Sequence, residues 1–237
     1  MSAQIRVLSA GAVKTGVRAA ADAFEGQGMG EVALRFATAP TIRTDVSQGA
    51  LADVVILPSG GMNELATLGK VNAASRIMLG RVGAGVAVRD GAPVPDITSV
   101  ESLKQALFDA DSIAYNKAST GLYIETLFER LGIAAALAPK IARKDNGAAV
   151  MNHLLEHRGR DIGFGAATEI LVFVDKGVRL VGPLPTAIQN YTRYEAAVMA
   201  AAADASAAGD FVAFLASEPG RALLRACGVE EAPADPK

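Results

Sequence analysis

One feature constrains this chain more than any other: the alternation of strand-like and helix-like segments. Along its 237 residues, short apolar runs recur between stretches of helical spacing. IRVLS (5–9) reads as a strand and 12–25 as a helix. EVALRFA (31–37) is a strand, and 40–48 a helix with Pro40 in the first turn, where a missing N–H is tolerated. ADVVILP (52–58) reads as a buried strand ahead of a helix at 62–68. Such alternation calls for a mostly parallel sheet, because each crossover helix must cover a sheet face.

Residues 77–89 (IMLGRVGAGVAVR) break the rhythm with a long, Gly-rich, extended stretch. Alternation resumes with a helix at 99–109, strand DSIAY (111–115), helix 120–131, strand KIAR (140–143), helix 146–157 and strand DIGFG (161–165). VRLVGPLP follows, residues 188–200 are again extended, and helices near 211–216 and 219–226 close the chain. The expected fold is α/β and two-lobed, with mixed, mostly parallel sheets and helices on both faces. Residues 1–82 and 190–237 would form one lobe and 83–189 the other. Two extended crossings, near 83–85 and 189–191, would be the hinge.

Composition removes several function classes. Lys plus Arg number 23 and Asp plus Glu 25, a net charge of −2, so the basic footprint of a nucleic-acid binder is missing. Trp is absent and aromatics make up 5%, which leaves no stacking platform for single strands. No run of about 18 apolar residues exists, so no membrane insertion is expected. No basic-then-apolar leader precedes the first strand. The expected location is therefore the periplasm if a leader was removed, and the cytoplasm otherwise. The lone Cys227 excludes an internal disulfide and reads as a small buried apolar residue.

Four strand-to-helix junctions are built alike, from small, hydroxyl or Asn and Gly residues at a helix start. They are SAGA (9–12), TAPT (38–41), KASTG (117–121) and KDNG (144–147). Ligands of open parallel sheets sit beyond the carboxyl ends of the strands. Helix N-termini there present unpaired N–H groups and a positive dipole end. Ordinary N-capping explains any one of these junctions; four in one chain point to an anion cleft between the lobes. The expected ligand contacts are Ser9, Gly11, Ala12, Thr38, Ala39, Ser59, Ser119, Thr120, Asn146 and Gly147. Lys14 and Arg43, each early in a rim helix, would add charge for a carboxylate-bearing ligand.

Other chemistries find less support. The first strand is not followed by G-x-G-x-x-G, and G-x-x-x-x-G-K-[ST] is absent, so no nucleotide cofactor is expected. HLLEH (153–157) matches the H-x-x-E-H zinc-protease pattern. The apolar stripe of Val150, Met151, Leu154 and Leu155 places His153, Glu156 and His157 on the opposite, solvated face. With no third ligand in view, no metal is expected. Ser59 does not stand in G-x-S-x-G, and no catalytic residue can be assigned.

The order of elements resembles the type II periplasmic solute-binding proteins, closest to the molybdate-binding proteins of ABC transporters. The resemblance rests on IRVLSAGAVKTGVRAAADAFE, FATAPTIRTDVSQGALADVVIL, ASTGLYIETLFERLGI, DIGFGAATEI, NYTRYEAAVM and FVAFLASEPGRALLRACG. It implies two lobes closing on a small anion and a transporter permease as partner. It also maps the family's hydroxyl ligands onto Ala12, onto Ala39 and Pro40, and onto Phe164, none of which has a hydroxyl. Molybdate is therefore not the expected ligand; a larger organic anion is. Aconitate isomerase is similar to the same family, which makes isomerisation of an unsaturated polycarboxylate the alternative function. Tyr115, Lys14 and Glu169 are the available acid–base types for it.

Overall fold

The computed structural model describes residues 4–233; the ends of the expected first lobe, 1–3 and 234–237, lie outside the described residues. The chain divides into two units. Unit 1 comprises Met1–Val82 and Arg193–Lys237, and unit 2 comprises Gly83–Thr192. The second boundary falls at 192/193 rather than 189/190, because the long strand that carries the return crossing begins inside unit 2.

In unit 1, β1 (Ile5–Ala10), β2 (Val32–Ala37) and β3 (Val54–Pro58) are separated by α1 (Lys14–Gly26) and α2 (Ala39–Ser47), and α3 (Ser59–Thr67) follows. A single 3-10 turn, Gly11–Val13, joins β1 to α1. β2 and β3 pair with β1 in parallel, with Ala10 opposite Ala37 and Ser9 opposite both Phe36 and Ile56. β4 (Ile77–Arg89) carries the chain into unit 2, and β9 (Tyr191–Val198) brings it back antiparallel to β3. α9 (Ala205–Ala216) and α10 (Glu218–Ala226) complete the unit.

Both sheet faces of unit 1 are covered. Ile42, Val46, Met62 and Leu65 of α2 and α3 pack on Leu8, Val55 and Leu57. On the α1 side, the ring of Phe24 meets Phe211 and Phe214 edge-on at 5.2 and 5.6 Å. Beyond area burial, each such aromatic pair contributes about 0.5–1.5 kcal/mol. α1 and α10 approach closely at Gly16, where a Cβ would stand 2.9 Å from Leu224 Cδ2. Cys227, at the C-cap of α10, is half-buried rather than enclosed.

Unit 2 repeats the logic. Its elements are α4 (Val100–Asp109), β5 (Ser112–Asn116), α5 (Ser119–Arg130), α6 (Ala134–Leu137), β6 (Ile141–Lys144), α7 (Gly147–Glu156), β7 (Asp161–Ala166), α8 (Ala167–Leu171) and β8 (Val178–Pro183). β6 and β7 flank β5 in parallel, while the β4 segment runs antiparallel between β7 and β8. Leu103, Leu107, Ile124, Leu127 and Phe128 fill one face of this sheet; Val150, Met151, Leu154 and Ile170 fill the other. Strand-and-helix alternation, mixed and mostly parallel pairing and helices on both faces together make the α/β architecture that the sequence calls for. Among the described residues, no helix is long and apolar enough to cross a membrane.

Candidate functional site

Parallel pairing brings the carboxyl ends of β1, β2 and β3 to one edge of unit 1, so the 3-10 turn, α2 and α3 all start there. Their N-termini differ. Thr38 caps α2, its Oγ1 accepting from Thr41 N at 3.4 Å and lying 2.8 Å from Thr41 Oγ1. The Gly11–Val13 turn and α3 have no side-chain cap. Ser59 is the first residue of α3, and its Oγ is shut off from solvent without a hydrogen-bond partner among the described residues. Buried hydroxyls are nearly always paired, so this one stands ready for an acceptor or donor that the described residues do not provide.

Lys14 opens α1 and is half-buried. It has no salt bridge among the described residues. Arg43, in the second turn of α2, is committed: its stem lies 3.2 Å from where a Gly61 Cβ would be, and its Nη1 donates to Glu64 Oε1 at 2.9 Å. Gly11, Ala12 and Ala39 lie at this edge, Gly11 and Ala12 opening the turn and Ala39 opening α2. All but the backbone of these three is apolar or absent, so only their N–H groups can donate. Ser9 is fully buried one residue short of the strand end, its Oγ donating to Ala10 O at 3.2 Å. Its hydroxyl is engaged by backbone at the strand end and closed to solvent.

The rim of unit 2 gathers the ends of β5, β6 and β7. Here Asn116, which sequence reasoning missed, organises the first turn of α5. Its Oδ1 accepts from Ala118 N at 2.9 Å and Gly121 N at 3.2 Å, and the residue is 2% exposed. Gly121 is required by that contact, since a Cβ would fall 1.7 Å from Asn116 O. Ser119 is half-buried and Thr120 buried at the start of α5. Asn146 caps α7 through Ala149 N at 2.9 Å. Lys117 donates to Asp145 Oδ1 at 2.8 Å and holds the Asp145 carboxyl below its ordinary range.

Gly147 adjoins Glu169 of α8. A Cβ on Gly147 would lie 2.2 Å from Glu169 Oε2 and 2.5 Å from its Cδ. A carboxylate from within unit 2 therefore lies at the N-terminus of α7, where the helix dipole favours it. Two other residues belong to the core instead of the rim. Phe164, opposite Val86 in the ladder, is fully buried with its ring 5.9 Å from Phe128. Tyr115 packs edge-on against Phe128 at 6.0 Å, and burial raises its phenol above the ordinary value. Of His153, Glu156 and His157, His153 alone departs from expectation: it is 5% exposed, while Glu156 and His157 face solvent.

The family model described as bacterial extracellular solute-binding protein matches residues 5–230. Among curated proteins, aconitate isomerase of Pseudomonas sp. is 30% identical over 244 residues, covering 98% of this chain and 89% of that protein. Among solved structures, the periplasmic molybdate-binding protein of Azotobacter vinelandii superposes with a TM-score of 0.78 at 16% identity, covering 98% of this chain and 100% of that one. The sulfate-binding protein of Mycobacterium tuberculosis gives 0.78 at 18% identity, covering 98% and 88%. These structural likenesses establish the type II periplasmic binding-protein fold.

Proposed function

Because this chain belongs to the bacterial extracellular solute-binding proteins, we propose that it captures a small organic anion bearing carboxylates, rather than molybdate. The observation that carries this reading is Lys14. A half-buried cation without a salt bridge among the described residues opens α1, where the helix dipole opposes positive charge. An incoming anion satisfies the ammonium and the dipole together. Ala12 and Ala39 agree with this: a buried oxyanion needs a donor for each oxygen, and methyl groups supply none. Charge-assisted bonds from Lys to carboxylate are the stronger kind. The curated relative at 30% identity is named for aconitate, a tricarboxylate. Capture takes place in the periplasm, with delivery to an ABC-transporter permease.

A second reading, isomerase, draws on Glu169 as well as on that relative. Its carboxylate stands at the unit 2 rim against Gly147. In isomerisation of aconitate, a base takes a proton from the methylene carbon, the double bond shifts, and the same proton returns at the other allylic carbon. No cofactor is consumed, and one carboxylate of suitable reach suffices.

One series of measurements tests both. Thermal unfolding is followed with molybdate, sulfate, citrate and the two aconitate isomers, since ligand bound to the native state raises the midpoint. A polycarboxylate is expected to raise it, and Lys14→Gln to shrink that rise. A rise with molybdate alone overturns the organic-anion reading. Incubation with trans-aconitate, followed by proton NMR, tests the enzyme: conversion lost in Glu169→Gln supports it, and no conversion removes that reaction.

A further inference from the structure

At the far edge of unit 2, away from the rim, β5 and β7 begin side by side, with Ser112 opposite Asp161 in the parallel ladder. α7 ends over them and delivers His153 and, one turn later at its C-cap, His157. We propose that His153, His157 and Asp161 form a binding site for a divalent transition ion such as Zn²⁺, Ni²⁺ or Co²⁺.

The geometry supports this in several independent ways. One nitrogen from each imidazole and one Asp161 oxygen all lie within 4.8 Å of one another. Ligands on a tetrahedral ion with bonds of about 2.0–2.1 Å stand about 3.4 Å apart. Small side-chain rotations close a difference of that size, and His157 is the freest of the three to turn, since its side chain is 49% exposed. The other two ligands are held in place, His153 being 5% and Asp161 4% exposed. The imidazole rings already adjoin, their centroids 3.9 Å apart, and His157 Nδ1 is 3.9 Å from Asp161 Oδ1.

Ser112 supplies the supporting bond that such sites need. Its Oγ is 2.6 Å from Asp161 Oδ1 and 2.8 Å from His153 Nε2. The ionised carboxylate can only accept, so the Ser112 hydroxyl donates to Asp161 and accepts from His153 Nε2–H. That leaves the other His153 nitrogen with its lone pair. The C-terminal end of α7 adds the negative end of a helix dipole, which favours a cation. Two imidazoles and one carboxylate suit borderline ions and not Ca²⁺ or Mg²⁺, which take all-oxygen sites. The HLLEH motif lacked a third ligand in sequence because Asp161 reaches it across a turn, from the first residue of β7. The site is separate from the rim groups and does not depend on the identity of their ligand.

The chain has two histidines, both in this cluster, which makes the test direct. Untagged full-length protein, stripped with chelator, is titrated with zinc chloride against a chromophoric competitor. Histidine ring signals are followed by NMR in parallel. One equivalent is expected to bind and to shift both rings. His157→Ala is expected to weaken binding at least about 10-fold, while its metal-free unfolding midpoint stays at the wild-type value because the side chain is exposed. Absence of one-equivalent binding, or equal affinity in wild type and His157→Ala, overturns the site. Should His157→Ala unfold early, the wild-type ring shifts still decide: both rings must move with zinc.

Discussion

Replacing Asp53 with Asn should cost about 2.4 kcal/mol at neutral pH and distinctly less in acid. Asp53 is 3% exposed and surrounded by donors. Arg6 Nε and Nη2 donate to its two oxygens at 2.9 Å each, Arg6 N donates at 2.9 Å and Ala203 N at 2.8 Å. The Arg6 side-chain bond is the largest cause holding this carboxyl at about 2, against an ordinary 3.8. Linkage converts that gap into about 2.4 kcal/mol at pH 7. The lowered value fixes the sign: stabilisation is complete above 3.8 and disappears as pH falls through about 2. At pH 3 about 1.3 kcal/mol remains. Arg6 keeps 35% of its side chain in solvent, so its unpaired guanidinium returns to water. The cost thus stays below the roughly 3–5 kcal/mol of fully buried pairs. Urea unfolding of both proteins by circular dichroism at pH 7, 5 and 3 measures the difference. It should hold steady from pH 7 to 5 and shrink by about 1.1 kcal/mol at pH 3. A difference as large at pH 3 as at pH 7 would refute the ionised carboxylate as its source.

Three further substitutions separate binding from stability. Ser59→Ala removes a buried hydroxyl without a partner among the described residues, so the ligand-free protein should gain up to about 1 kcal/mol while the best ligand's thermal shift shrinks. A loss of ligand-free stability would mean the hydroxyl is already satisfied. Gly147→Ala puts a methyl 2.2 Å from Glu169 Oε2. The obstacle is a flexible carboxylate tip, so unfolding should change by no more than about 1 kcal/mol. Ligand binding or turnover should fall; if both are unchanged, Glu169 has no part in them. Gly121→Ala meets backbone instead, 1.7 Å from Asn116 O, and should destabilise by about 3 kcal/mol in urea. A change within about 0.5 kcal/mol would contradict the close packing of α5 on β5.

Periodicity made the strands and most helices legible, because each must bury one face. It failed where length was too short to show a period, as in the five-residue α8 that carries Glu169. Individual side-chain directions were harder. Ser9 stands one residue before the end of β1, in a run buried on both faces from Val7 to Ala10, flanked by Phe36 and Ile56 in the ladder. His153 looked solvated from its own helix alone. Its burial comes from Ser112 and Asp161, partners 41 residues upstream and 8 downstream, the first bonded at 2.8 Å. Arg43 read as a free cation because Glu64, its partner on the next helix, could not be connected to it by spacing. At the rims the sequence located Lys14, Thr38, Ser59 and Asn146 by their place after strands. It could not show that the Ser59 hydroxyl is buried or that Asn116 accepts two bonds.

The split composition of unit 1 sets the order in which the protein can be completed. A ribosome makes Met1–Val82 first, then all of unit 2, and only then the stretch from Arg193 onward. Until that tail emerges, β3 has no β9 beside it, and the face of α1 that carries Phe24 waits for Phe211 and Phe214. Unit 2 is continuous in sequence and needs no such delay. The first third of the nascent chain therefore stays open longest, with apolar surface exposed. That makes the early segment the natural target for a holding chaperone.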